Sequence, residues 1–369
     1  MEELNLKQLL ALVPVIADEK NLSEEKVLDI VEQAIASAWR RDNGDREQVV
    51  RADLNTNTGE ATVYVVREIV EEPENDINQI SLEEAKKIKK DAEIGGVIED
   101  KHIVTKFGRV AAQTAKQVFT QRLKEAEKEV TIAEYEDRIG EVVNGSIVRV
   151  DRGTVYVELG KGTGIIPKRE QIPGEFYSVG SRLKVLIKEI DRGLHGTQLI
   201  LSRADKQFII ELFRNEVPEM ENGAVEIKAL AREPGVRTKI AVTSSMPGID
   251  PVGTLVGGRG VRIQTVSAEI GDREKIDVIN YSENPADLIY NALSPAEIAK
   301  VEIDETTKTA KAFVAPDQQS IAIGRGGQNV QLASALTGYN IDITPLEAKA
   351  KKARHDAEEG LLAAIEDAE

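Results

Sequence analysis

The chain has 369 residues, of which 41% are hydrophobic, 30% charged and only 4% aromatic, and its formal net charge is −16. That length allows two to four domains, each with its own core. The absence of cysteine excludes a disulfide framework, a thiolate metal site and a thiol nucleophile. No apolar run approaches the ~18 residues of a membrane span, and the opening MEELNLKQLL lacks the basic-then-apolar pattern of a signal peptide. The expectation is a cytoplasmic protein without membrane contact.

The acidic total argues against nucleic acid, whose binders usually carry basic patches, but the charge is uneven. Residues 130–204 hold 11 basic and 10 acidic groups, whereas residues 1–129 hold 19 and 27. A near-neutral middle between acidic flanks suggests local basic faces, with modest and salt-sensitive nucleic-acid binding.

The first segment, LKQLLALVPVIADEKNLSEEKVLDIVEQAIASAWRR, repeats apolar residues at helical spacing and offers Ser23 as the N-cap of a second helix. QVVRADLNTNTGEATVYVVREIV alternates apolar and polar residues around a turn and predicts a β-hairpin. A charged helical pattern follows over 81–92. TKFGRVAAQTAKQVFTQRLKEAEKE then predicts one long amphipathic helix, with Val110 and Val118 on its apolar side and a charged end over 121–137 acting as a linker. Arg109 and Lys116 are two turns apart and share a face with Gln113. Trp39 is expected to pack at a helix end.

From about 138 to 202 the pattern changes to short strands broken by Gly, Asp-Arg-Gly and Pro-Gly turns, which predicts a small closed barrel. Its candidates for stacking on a base are few: Tyr156 on a strand, and Phe176 and Tyr177 near a turn. Lys161, Lys168 and Arg169 flank its loops and could line a nucleic-acid path; solvated loop charges would look the same.

Residues 205–344 read as one unit written twice, in the order helix, strand, strand, helix, Gly-x-x-Gly, helix, strand. The turns are VGGRGVRIQT at 256–265 and IAIGRGGQNV at 321–330. Glycine permits positive φ and close approach of another backbone, and the helix that follows offers unpaired N–H groups and a positive dipole end to phosphate. Arg259, Arg262 and Arg325 add charge-assisted contacts. The nucleic-acid candidates are therefore Gly257, Gly258, Arg259, Gly260 and Arg262, and Gly324, Arg325, Gly326, Gly327, Gln328 and Asn329. A dinucleotide site fits poorly, because its fingerprint follows a strand and the stretches before these turns look helical. The triphosphate loop fails too, since the Gly160-Lys161 pair is followed by Gly162 and not by Ser or Thr. Helix–helix turns with no ligand remain an alternative, weakened by the repetition at equivalent places. His102, His195 and His355 are scattered among charged or loop residues and form neither a catalytic nor a metal-ligating set. No cofactor, metal or enzymatic activity is expected.

GGRG and GRGG resemble the signature of KH domains, whose Gly-x-x-Gly loop clamps about four nucleotides, and the element order is that of the bacterial, type II form. The stretch from GEVVNGSIVRV to LILSR resembles the OB-type repeat of ribosomal protein S-one. With the long-helix N-terminal segment ahead of them, these modules resemble the NusA family of bacterial transcription termination/antitermination factors. DPVGTLVGGRGVRIQTVSAEI and SIAIGRGGQNVQLASALTGYNIDI come close to its wording, and the resemblance covers residues 1–346.

It implies a multidomain α+β chain: an α/β N-terminal polymerase-binding domain (1–129), an OB-type barrel (130–204), a first and a second KH domain (205–282 and 283–346), and a charged helical tail (347–369). The tail is shorter than the acidic repeats that some members carry there. The implied partners of a monomer are RNA polymerase, met through Arg109, Gln113 and Lys116, nascent single-stranded RNA, and other elongation or antitermination factors. The implied outcome is altered pausing, intrinsic termination and antitermination. KH and S-one-type modules also meet in polynucleotide phosphorylase, but there KH precedes the barrel and a large catalytic core precedes both. A ribosome-associated RNA-binding protein without polymerase contact shares the modules but leaves the N-terminal segment unexplained.

Overall fold

The computed structural model describes residues 6–45, 47–104, 107–193 and 196–346; the expected helical tail, His195 and His355 lie outside them. The chain divides into two compact units, residues 1–135 with 192–197, and residues 136–191 with 198–369.

In the first unit, α1 (Leu6–Lys20) and α2 (Glu24–Asn43) are separated by Ser23, whose Oγ accepts the Lys26 N–H at 3.2 Å. The hairpin β1 (Val50–Leu54) and β2 (Ala61–Val70) pairs antiparallel, Val50 opposite Val65. Beyond it come β3 (Gln79–Ser81), α3 (Leu82–Ile88) and β4 (Val97–Val104), the last pairing antiparallel with β2. The β3 and β4 strands are additions to the sequence expectation. Along α2, Val27, Val31, Ile35 and Trp39 face the sheet residues Ala61, Val63 and Val65 in one core.

Trp39 thus packs inside α2, with its ring 5.0 Å from that of His102. On the other side of α2, Ala34 and Ala38 meet Ala111 and Ala115 of α4 (Arg109–Ala133). Small residues on both sides let these helices approach closely. This corrects one expectation: Val118 packs against the alanine seam, but Val110 is exposed, because the buried stripe of α4 runs through Ala111 and Ala115.

The second unit opens with a closed five-stranded barrel, all but residues 192–197 of which fall in that unit: β5 (Val142–Asp151), β6 (Thr154–Glu158), β7 (Thr163–Ile166), β8 (Arg182–Gly193) and β9 (Gly196–Ser202), in the order β5-β6-β7-β9-β8. Arg152 and Gly153, both at positive φ, make the two-residue turn between β5 and β6, the combination that matches strand twist.

Two copies of one three-stranded fold follow. The first contains α5 (Lys206–Glu216), α6 (Pro218–Glu221), β10 (Val225–Glu233), β11 (Arg237–Ser244), α7 (Pro251–Val256), α8 (Val261–Ile270) and β12 (Lys275–Asn280). The second contains α9 (Pro285–Ala292), β13 (Ile298–Asp304), β14 (Thr309–Val314), α10 (Gln319–Ile323), α11 (Gln328–Thr337) and β15 (Asn340–Pro345). In each, the first two strands are antiparallel and the middle strand is parallel to the last. Asp250 and Asn284 cap α7 and α9 with a proline at the next position, the arrangement that suits a helix start.

Barrel and KH-type copies form one unit through buried polar joints. Arg203, 2% exposed, ties the barrel to the first copy by hydrogen-bonding Glu175 Oε2 at 2.9 Å and Glu269 Oε1 at 3.0 Å. Beside it, Arg232 pairs with Glu274 at 2.8 and 3.0 Å and also donates to the Arg203 and Asp205 carbonyls. Ala231, Ala241 and Ile279 of the first copy share a core with Ile289, Leu332 and Ala333 of the second. At that seam buried Lys239 reaches Asp277 at 3.0 Å and the Ser294 carbonyl at 2.9 Å. Burial pushes the Lys239 ammonium below the usual lysine range, an effect only partly offset by Asp277.

Candidate nucleic-acid interface

Each Gly-x-x-Gly turn is a single 3-10 turn between two short helices, Gly258–Gly260 in one copy and Arg325–Gly327 in the other. The equivalence is residue by residue at an offset of 67. Gly257 and Gly324 have φ of 76° and 75°, Arg259 and Gly326 have 56° and 62°, and Gly260 and Gly327 have 77° and 79°. Among the described residues no side chain caps α8 or α11. The Val261 and Gln328 N–H groups are taken by the Gly258 and Arg325 carbonyls, and each helix start presents its positive dipole end to a ligand.

The glycines divide into two kinds. A Cβ on Gly257 would lie 2.8 Å from Arg262 Cγ, and one on Gly324 would lie 2.8 Å from Asn329 Cβ, so both are required for packing. Gly258 and Gly326 face open space, and Arg259 and Arg325 are exposed beside them. Arg259 occupies the left-handed region, a placement that costs a non-glycine residue about 1–2 kcal/mol. The second copy puts Gly326 at that point and moves its arginine back one place. Both copies thus carry one guanidinium at an exposed tip, and the first keeps it there despite strain, the kind of residue that marks a functional site.

Two sequence candidates are corrected. Arg262 and Asn329 occupy equivalent positions, and both turn inward. Arg262 donates to the Thr254 carbonyl at 2.9 Å and pairs with Glu219 at 3.0 Å. Asn329 is 1% exposed, and its Nδ2 donates to the carbonyls of Leu293 and Ala322, both at 3.0 Å. They brace the end of the preceding short helix and shape the turn. Sequence reading missed this, because a brace and a contact use the same residue types. Gln328 is half-buried at the first position of α11.

On the barrel, Lys161, Lys168 and Arg169 are exposed, the last two on a short 3-10 turn after β7. Arg169 lies 3.5 Å from Glu170. Tyr156 is half-buried and already covered by Arg149, whose guanidinium carbon sits 3.9 Å from the ring centroid; the sequence did not single out Arg149. Tyr177 is corrected as a stacking candidate. Its hydroxyl donates to Glu175 and accepts the Ile172 N–H at 3.1 Å, and burial together with Glu175 holds it above the usual phenol range. In the first unit, Arg109, Gln113 and Lys116 share one exposed face of α4, opposite Ala111 and Ala115.

Among the described residues no cluster of His, Asp or Glu could hold a metal ion, and no helix is long and apolar enough to cross a membrane. The preceding elements α7 and α10 are helices, which removes the strand that a dinucleotide fingerprint requires.

A closed OB-type barrel joined to two type II KH folds with paired glycine turns defines a multidomain RNA-binding class of protein. The family profiles give the same modules: "NusA N-terminal domain" over residues 8–129, "S1 RNA binding domain" over 136–202, "NusA-like first KH domain" over 203–281 and "NusA-like second KH domain" over 285–351. A transcription termination/antitermination protein NusA from Thermus thermophilus is 42% identical over 342 residues, spanning 90% of this chain and 88% of that one. The NusA of Halalkalibacterium halodurans is 42% identical, with 88% and 85% covered, and that of Bacillus subtilis 40%, with 91% and 90% covered. The chain belongs to the NusA family of transcription termination/antitermination proteins.

Proposed function

We propose that the chain is a non-enzymatic elongation factor that docks on RNA polymerase through its N-terminal unit and holds nascent single-stranded RNA on the barrel and KH pair. The observation that carries this reading is the repeated turn: two exposed arginines, each beside an open glycine and a helix start that no side chain caps, within one packed unit. An extended sugar–phosphate backbone is the ligand that such a turn suits, because it offers phosphate to N–H groups without demanding a deep pocket. Two turns held in one body raise the effective concentration of the second contact once the first has formed.

The exposed face of α4 with Arg109, Gln113 and Lys116 supplies the polymerase contact in this reading, while the barrel loops with Lys161, Lys168 and Arg169 extend the RNA path. Tethered beside the exit, the protein would favour hairpin formation in emerging RNA. It would thereby lengthen pauses and promote intrinsic termination, or support antitermination with other factors. No bound cofactor is needed for any of these steps.

The test is anisotropy of labelled single-stranded RNA at roughly 50 and 200 mM salt, since phosphate neutralisation gives a linear fall of log affinity with log salt. Wild-type protein should bind with a clear negative slope, and reversing Arg259 and Arg325 to Asp should weaken binding and flatten that slope. Salt-independent binding, or none, would overturn the RNA assignment.

A further inference from the structure

Phe176 is the most exposed large hydrophobic residue among the described ones, at 90%. Its neighbours explain how it is held there. Glu175 turns in to Arg203, and Tyr177 turns in to Glu175 and the Ile172 N–H. With both neighbours anchored, the loop presents the Phe176 ring outward without relying on its own packing.

Opposite it, the segment after α8 runs Gly271-Asp272-Arg273 and is pinned at its far end by Glu274, itself buried against Arg232. Gly174 and Arg273 come close together: a Cβ on Gly174 would lie 3.2 Å from Arg273 Nη1. Gly235 also permits a close approach, since a Cβ there would lie 2.8 Å from the Pro173 carbonyl oxygen. Between the barrel loop and the first KH-type copy these residues line an open notch of about 380 Å³ with Ile172 and Ile270 on its walls.

We infer that this notch is a nucleobase site, in which one unpaired base of single-stranded RNA stacks on Phe176 while Arg273 contacts the adjoining phosphate. The inference rests on the RNA reading above and adds a site to it. Three observations favour RNA as the occupant. An outward aromatic ring in a fixed loop loses little entropy when a base stacks on it. A guanidinium at the same mouth suits phosphate, and of the two carboxylates lining the notch, Glu175 and Asp272, the first is paired with Arg203. The notch also lies at the end of α8 remote from the first glycine turn. Ten residues of helix place the two about 15 Å apart. The carboxylate of Asp272 on the rim limits the phosphate contact to the Arg273 side.

The test uses the full chain and a fluorescein-labelled single-stranded RNA of about 20 nucleotides, long enough to fill a KH turn of about four nucleotides and the notch together. Phe176→Ala should weaken binding about 5-fold or more, the scale of one lost base–aromatic stack, with melting unchanged because the ring is exposed. Phe176→Trp should retain affinity. Arg273→Gln should weaken binding and reduce the salt slope by close to one phosphate contact, about 0.7 for single strands.

Suppose wild-type protein binds RNA and the Gly258→Asp/Arg259→Asp variant does not, but Phe176→Ala binds like wild type. The notch assignment is then wrong and the RNA reading stands. If wild-type protein itself fails to bind, both fall together. Unchanged RNA affinity with lost polymerase binding by Phe176→Ala would make the notch a protein contact and overturn the nucleobase assignment.

Discussion

Replacing Asn329 by Ala removes a side chain that is 1% exposed and donates two 3.0 Å hydrogen bonds, to the carbonyls of Leu293 and Ala322. The Leu293 carbonyl keeps the Ala296 N–H as a partner at 3.1 Å, so its loss is the smaller. Leaving a buried polar group short of its partner costs about 1–3 kcal/mol. Some of that is returned, because the buried Asn329 Oδ1 accepts no hydrogen bond from the described residues and disappears with the substitution. The expected net loss is about 2 kcal/mol, including the small void left by the amide.

Asn329→Asp should be worse, since it turns a carboxylate toward two carbonyl oxygens. With a slope of about 2 kcal/mol per molar urea, the Ala variant should unfold at a midpoint lower by about 1 M. Urea titration followed by circular dichroism reads this directly, with RNA affinity measured on the same protein in buffer. Unchanged unfolding accompanied by weaker RNA binding would make Asn329 a direct contact and refute its assignment as a brace.

The double variant Gly258→Asp/Arg259→Asp should lose RNA affinity without loss of stability, because a side chain at Gly258 meets open space; anisotropy and a melting curve check both. Arg325→Asp/Gly326→Asp should also weaken RNA binding but lose about 1 kcal/mol of stability, since Gly326 has a φ of 62° that only glycine adopts without cost. Burial alone would raise the pKa of Glu274, but hydrogen bonds from Arg232, Thr238 and the Gly235 N–H outweigh it and hold it below the usual carboxylate range. Its stabilisation is therefore present above its unfolded pKa and lost as pH falls toward its folded pKa. Glu274→Gln should lower stability by about 3 kcal/mol at neutral pH and flatten the acid limb of a melting-temperature profile. Arg109→Glu/Lys116→Glu should leave RNA affinity intact while reducing pause enhancement in a transcription time course; wild-type pausing would remove this face from the polymerase contact.

Local chemistry carried most of what the sequence made legible. Ser23 caps its helix, the hairpin turns where NTNTG stands, and both glycine turns open helices, because each signal lies within a few residues of its effect. Long-range pairing was not legible. Strand β4 alternates weakly and exists because β2 offers it a partner, as in Val63 opposite His102. Arg203, Arg232 and Lys239 look like surface charges in sequence and become buried only because Glu175, Glu269, Glu274 and Asp277 reach them from distant elements. The same limit misassigned Arg262 and Asn329: the motif identifies the turn, whereas the direction of each side chain depends on which carbonyls the preceding helix leaves open.

A paused-transcription time course with purified RNA polymerase tests the central claim most directly. It compares no factor, the wild-type chain and the Gly258→Asp/Arg259→Asp variant at matched concentrations, with polymerase binding measured in parallel. The account predicts that the wild-type chain lengthens the pause and that the variant still binds polymerase but lengthens it less. A variant that binds polymerase and prolongs the pause as fully as wild type would contradict it, because capture of nascent RNA at the glycine turns would then play no part in the activity.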